Sequence, residues 1–157
     1  MIKYLFSKNK PYDQAKAITY GELCINGENL DYEYINRELG GYRYDFADFR
    51  KKKKHEKIPV EIFIRKKDNV CVGWEYNTPH RETEADLYER LDDLINEFSD
   101  KKEKLKLIKE KFPGSEVRVC VVLENHQWAR PGICLEHRHI EFLHDIGAEF
   151  ETDCYQL

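Results

Sequence analysis

Residues 134–147, CLEHRHIEFLHDIG, carry three histidines and a cysteine. Imidazole and thiol side chains are the common ligands of zinc, and a thiol beside an imidazole is a nucleophile with its base. On a helix, however, spacing decides what such groups can do. His137 and His144 are seven residues apart, which leaves them within about 20° of each other but about 10 Å apart along the axis, too far to share one ion. His139 falls on nearly the opposite side from His137. The i, i+4 pairing that holds zinc in His-Glu-x-x-His is absent. A ligand set would have to be drawn from elsewhere, from His80 or from His126, Cys134, His137 and His139 together. The spacing therefore predicts no metal and no cofactor, with that four-residue set as the alternative. The inward face of the helix is drawn through Ile140, Leu143 and Ile146. A Cys134–His137 thiolate and base would need oxyanion donors and a third group, and the sequence shows neither.

Other chemistry is equally sparse. There is no glycine-rich phosphate loop and no Gly-x-Ser-x-Gly elbow. Asp92 and Asp93 sit in a charged helical stretch and read as its solvated side. No catalytic residue is assigned. The loop NHQWARPG, 125–132, groups His126, Trp128 and Arg130. Tryptophan and arginine dominate interface energetics, so these three are the candidate binding residues. The competing reading folds Trp128 back onto the core.

The elements that must position these groups follow from patterning. Ile18–Asn26 reads as a strand that ends in an Asn-Gly turn. Asp31 caps a helix in which Ile35 and Leu39 share a face and Gly40-Gly41 gives the stop. Tyr42–Phe49 reads as a partial strand. Alternation over 60–76, broken by Asp68-Asn69, predicts a hairpin. Thr83 with Asp86 has near capping-box spacing and opens a helix carrying Leu87, Leu91, Leu94 and Phe98 inward. Ser99 or Asp100 restarts the chain as a second helix, with Leu105, Ile108 and Phe112 inward, and Pro113-Gly114 ends it. Residues 116–124 are apolar on both faces, the mark of a central strand. A short strand at Ile133–Leu135, a helix over 136–146 stopped by Gly147, and a strand over 148–156 complete the order. The stretches 30–41 and 135–148 echo each other weakly as strand–helix–strand units.

The chain has 157 residues, 41% hydrophobic, 36% charged and 13% aromatic, with net charge −4. This is the composition of one folded domain over 1–157, with 1–17 an N-terminal extension or edge strand and 50–58 a lysine-rich loop. Near-balanced charge leaves no nucleic-acid footprint, and the basic run Arg50–Lys54 reads as a solvated loop. A phosphate-contacting patch at Lys51–Lys54 is the sharper reading. No apolar run reaches membrane-spanning length, so no membrane association is expected. Five scattered cysteines, without Cys-x-x-Cys spacing or a secretory signal, point to thiols in a reducing cytoplasm.

Taken in order, Tyr20, Gly27, Leu30-Asp31, Ile35 and Leu39-Gly40 resemble the opening signature of the bacterial domain of unknown function 4279 family. Gly73-Trp74 matches its central strand and 84–112 its leucine-rich helical region. Gly132-Ile133, Leu135, Ile140, Leu143, Gly147-Ala148, Asp153 and Tyr155 match its closing pattern. The resemblance covers about 18–157. It departs at Gly41-Tyr42, where the family commonly has proline, and in the lysine-rich 50–57. It implies no enzymatic activity, since the shared residues are core and turn residues.

The expected fold is α+β, a mostly antiparallel sheet with helices on one face, and the internal echo suggests two joined ferredoxin-like halves. The expected function is a non-catalytic protein-binding domain, an immunity or antitoxin-like protein that neutralises a cognate toxin. The alternative is a metal-binding protein or metal-dependent enzyme that uses the His/Cys-containing segment 126–144. Oligomeric state is left open.

Overall fold

A computed structural model describes residues 17–48, 58–83, 87–125 and 132–156 of the chain. The strands are β1 (Ala17–Asn26), β2 (Tyr44–Phe46), β3 (Val60–Arg65), β4 (Val70–Asn77), β5 (Arg81–Thr83), β6 (Glu116–Asn125) and β7 (Ala148–Gln156). The helices are α1 (Tyr32–Leu39), α2 (Leu87–Phe98), α3 (Lys102–Lys111) and α4 (His137–Ile146), with a 3-10 turn at Ser99–Lys101 between α2 and α3. The sheet runs β2-β3-β4-β1-β6-β7, and β5 pairs with β1. Pairing is antiparallel for β1 with β4, β5 and β6 and for β3 with β4, and parallel for β2–β3 and β6–β7. The α+β architecture read from the sequence is the one observed. No described helix is long and apolar enough to cross a membrane.

Strand alternation divides the sheet into two chemically different faces. Leu23, Ile25, Val60, Ile62, Trp74, Tyr76, Val117, Val119, Val121 and Leu123 turn toward the helices, where they meet Ile35, Leu39, Leu87, Leu91, Leu94, Phe98, Leu105, Ile108, Phe142, Leu143 and Ile146 in one core. Each such burial contributes about 1.5–3 kcal/mol relative to exposure. The other face carries a small separate cluster of Tyr20, Cys120 and Val122. Gly21 lets α2 lie close on β1, since a Cβ there would meet the Arg90 carbonyl oxygen at 2.9 Å.

The helices start and stop as their sequences dictate. Asp31 accepts the Tyr34 N–H at 2.9 Å, and the Gly40 and Gly41 amides both donate to the Asn36 carbonyl. Gly147, at φ 60°, takes the left-handed conformation that ends α4, and its amide donates to the His144 carbonyl.

Several expectations are corrected. Thr83 lies in β5 opposite Ala17, and α2 is described over Leu87–Phe98. Pairing with a distant segment makes Thr83 the end of a strand, which its local sequence does not announce. β4 and β5 follow the same edge of β1, with Asn77 opposite Glu22 and Arg81 opposite Thr19. Four steps therefore face three, and the extra residue is absorbed at Thr78–His80, a bulge. Thr78 pins the bulge: its amide donates to the Gly21 carbonyl at 2.9 Å and its Oγ1 accepts the Gly21 N–H at 2.8 Å. Residues 133–135 form no strand, although Ile133 and Leu135 pack against the core. Of 42–48, only Tyr44–Phe46 pairs. The two echoing segments share helix punctuation rather than strand order. β1 and β2 are separated by β3 and β4, whereas β6 and β7 are neighbours.

α4 is rotated from its expected orientation. Ile140 is 53% exposed, and the inward side consists of His139, Phe142, Leu143 and Ile146 at i, i+3, i+4 and i+7. An apolar-only reading of the helix discards His139, yet it is fully buried because α2 supplies a partner for its ring.

Candidate functional site

The histidines are dispersed as the helix geometry requires. His137 and His144 are exposed and His139 is buried. The Glu136 amide donates to His139 Nδ1 at 2.9 Å, so Nε2 carries the ring proton and donates it to Asp92 Oδ1 at 2.7 Å. Arg138 grips the same carboxylate at 2.7 and 2.9 Å. Partial burial pushes the Asp92 carboxyl upward, but the hydrogen bonds from Arg138 and His139 outweigh it and hold the group below its ordinary value. Asp92 is thus a tie between α2 and α4 and not part of a solvated face. Asp93 likewise faces Arg81 at 3.2 Å and Arg90 at 3.4 Å. Both ring nitrogens of His139 are committed to structure, and Cys134 is exposed. Among the described residues, Cys134, His137 and His139 do not bring three ligand atoms within 4.8 Å of one another. His126, Trp128 and Arg130 lie outside the described residues, as do Lys51–Lys54.

A different set of groups converges on the helix-free face. Alternation turns Tyr20, Glu22 and Cys24 of β1 to this side. The antiparallel registers then set Glu75 and Arg118 on either side of Cys24, and Asn77 and Cys120 on either side of Glu22. Parallel pairing with β7 adds Glu149 beside Arg118 and Glu151 beside Cys120. The Cys24 thiol donates to Glu75 Oε2 at 3.6 Å, and Asn77 Nδ2 donates to Glu75 Oε1 at 3.1 Å. The ligand atoms of Glu22, Cys24 and Glu75 all lie within 4.8 Å of one another. Arg118 Nη1 stands 3.4 Å from Glu151 Oε2. Nearby, the Tyr20 ring stacks on His80 with centroids 3.9 Å apart, and its hydroxyl donates to Glu124 at 3.2 Å.

The centre of this face is dry. Cys24 and Cys120 are each 1% exposed, and Glu22 and Glu75 each 9%. Burial pushes the Cys24 thiol far up, the Glu75 and Glu22 carboxylates push it further, and Arg118 only partly opposes them. Burial with Glu22 and Asp153 does the same to Cys120. Both thiols are therefore protonated at neutral pH and are poor nucleophiles, which leaves hydrogen bonding as their chemistry unless a bound cation displaces the proton. Toward β7 the face opens: Glu116, Glu149, Glu151 and Tyr155 are exposed.

The five thiols accordingly divide in two. Cys24, Cys71 and Cys120 are buried, and Cys134 and Cys154 are exposed. A disulfide reagent added to the native protein is expected to consume two thiols quickly and the other three only on denaturation. Fast reaction of Cys24 or Cys120 would contradict the burial of this face.

Sequence reading missed this cluster. Its only trace was a glutamate and a cysteine alternating with Leu23 and Ile25 in GELCIN, and a glutamate between Trp74 and Tyr76. Their meeting depends on register between strands some fifty residues apart in the chain.

No curated protein and no solved structure matches the chain. The model of the family described as Domain of unknown function (DUF4279) matches residues 18–157, from the second residue of β1 to the end of the chain. The chain belongs to the DUF4279 family.

Proposed function

We propose that this domain is a non-catalytic protein-binding module that receives a basic partner surface on the acidic β6–β7 end of its helix-free face. The carrying observation is the one-sided charge of that end. Glu149, Glu151 and Asp153 succeed one another on the outward-turned positions of β7, beside Glu116 and Glu124 of β6, and the basic residue among them, Arg118, is paired with Glu151. A row of carboxylates on an edge strand attracts cations over a Debye length and accelerates association with a complementary surface. Among the described residues, two reactive groups are already engaged: His139 is held by Glu136 and Asp92, and burial keeps the Cys24 and Cys120 thiols protonated. In its finer form, the module is an immunity or antitoxin-like protein that occludes the active surface of a cognate toxin, with the loop bearing His126, Trp128 and Arg130 as a second contact.

The test is co-expression with the product of the adjacent gene, followed by association kinetics at low and raised salt. Binding is expected to slow steeply with salt. The triple variant Glu149→Lys, Glu151→Lys, Asp153→Lys is expected to lower the association rate by about tenfold or more. If nothing is retained at low salt, the protein-binding reading fails. If a partner is retained but charge reversal leaves its association rate unchanged, the acidic ridge is not the contact.

A further inference from the structure

We propose that Glu22, Cys24 and Glu75 form a binding site for a thiophilic divalent cation of the zinc class. The donor set is mixed. One thiol and two carboxylates come from adjacent strands, with their ligand atoms within 4.8 Å of one another. In a tetrahedral site with metal–sulfur about 2.3 Å and metal–oxygen about 2.0 Å, sulfur and oxygen lie about 3.5 Å apart. Cys24 Sγ and Glu75 Oε2 stand 3.6 Å apart, so this edge of the tetrahedron is in place without backbone movement. Cys24 is 1% exposed and the two carboxylates 9%, which places the donors where competing water is scarce.

Charge supports the same assignment. On binding, the Cys24 S–H bond breaks, its proton leaves to solvent, and the sulfur lone pair forms the metal–sulfur bond. Three anionic donors then carry one charge more than a dication neutralises. Arg118, which stands opposite Cys24 on β6, supplies the balancing positive charge without being a ligand. A hard cation such as magnesium or calcium has little use for sulfur, whereas zinc accepts sulfur and oxygen together. Three protein donors leave the fourth position to water.

Cobalt(II) is the direct probe, because a thiolate ligand gives a near-ultraviolet charge-transfer band that carboxylates and water do not. The full chain carrying Cys134→Ser and Cys154→Ser removes the exposed thiols as competitors. This variant is expected to bind one cobalt ion with a thiolate band and tetrahedral visible bands, to release a proton as it does so, and to lose the band on addition of zinc. Adding Cys24→Ser should abolish the band. Glu75→Gln, which keeps the side-chain shape, should weaken cobalt binding while circular dichroism shows the fold intact. It provides a reading even if Cys24→Ser fails to fold. Absence of a thiolate band in the Cys134→Ser, Cys154→Ser protein, or a band indifferent to both Cys24→Ser and Glu75→Gln, would overturn the proposal.

Discussion

Replacing Trp74 by alanine is expected to lower the unfolding free energy by about 3–5 kcal/mol, the cost of a large cavity in a packed core. Trp74 lies in the middle of β4, opposite Ile25 on one side and Ile62 on the other, and is fully buried beneath the helices. Its indole N–H donates to Asn36 Oδ1 at 3.3 Å, and the Asn36 amide in turn donates to the Tyr42 carbonyl at 2.8 Å. The truncation therefore does two things: it opens a void between sheet and helices, and it leaves a buried carboxamide oxygen without its donor. The second effect adds about 1–3 kcal/mol if water does not enter. Against a total stability of roughly 5–15 kcal/mol, this is enough to leave a large fraction of the molecules unfolded on modest warming. Trp74→Phe fills most of the void and keeps only the polar penalty, so it should cost less than half as much. Guanidinium unfolding followed by far-ultraviolet circular dichroism measures both. A loss below about 1.5 kcal/mol for the alanine variant would mean that the sheet and α1 collapse onto the vacancy, against the close packing of the interior.

Most of this core was legible because its information is local. Leu87, Leu91, Leu94 and Phe98 share a helical face whatever lies beneath it, and Val60 and Ile62 share a strand face for the same reason. The errors fall where a distant segment decides. Thr83 has the chemistry of a helix cap, but β1 extends far enough to pair it as a strand. The local pattern puts Ile140 on the inward face and leaves His139 as a solvent-facing or hydrogen-bonded imidazole. The order is reversed because Asp92, 47 residues away, satisfies the histidine. A buried polar side chain is invisible to hydrophobic periodicity, and its partner is known only once the helices are docked.

The candidate site is an extreme case of that limit. Alternation in GELCIN and in VGWEYN already turns Glu22 and Cys24 away from Leu23, and Glu75 away from Trp74 and Tyr76. What alternation does not supply is register. A shift of one residue between β1 and β4 would exchange Glu75 for an aromatic side chain on the face that holds Cys24. The histidine-rich segment 134–147, by contrast, drew attention by residue count, and the helix then spread those rings over different sides.

The buried ion pair under α2 gives the second large effect, and its sign differs between the partners. Arg90 is 1% exposed; its Nη2 lies 3.0 Å from Glu89 Oε2 and its Nη1 3.4 Å from Asp93 Oδ2. Among the described residues, its Nε and Nη1 have no hydrogen-bond acceptor. The pair is therefore close enough to neutralise charge but too poorly aligned to recover the full cost of desolvating a guanidinium. Asp93→Ala removes the better buried of the two counter-charges and leaves Glu89, which is half exposed and well screened. The expected loss is about 1–3 kcal/mol, the cost of leaving a buried cation with one screened partner. Arg90→Met removes the cation itself and fills its space with apolar atoms, and should be neutral or stabilising by about 1–4 kcal/mol. The double variant is then expected to recover most of what Asp93→Ala loses, a coupling that a double-mutant cycle reads directly. If Arg90→Met costs as much as Asp93→Ala, the guanidinium is satisfied by its surroundings and holds α2 on the sheet. If Asp93→Ala costs under about 1 kcal/mol, Glu89 alone suffices as its partner.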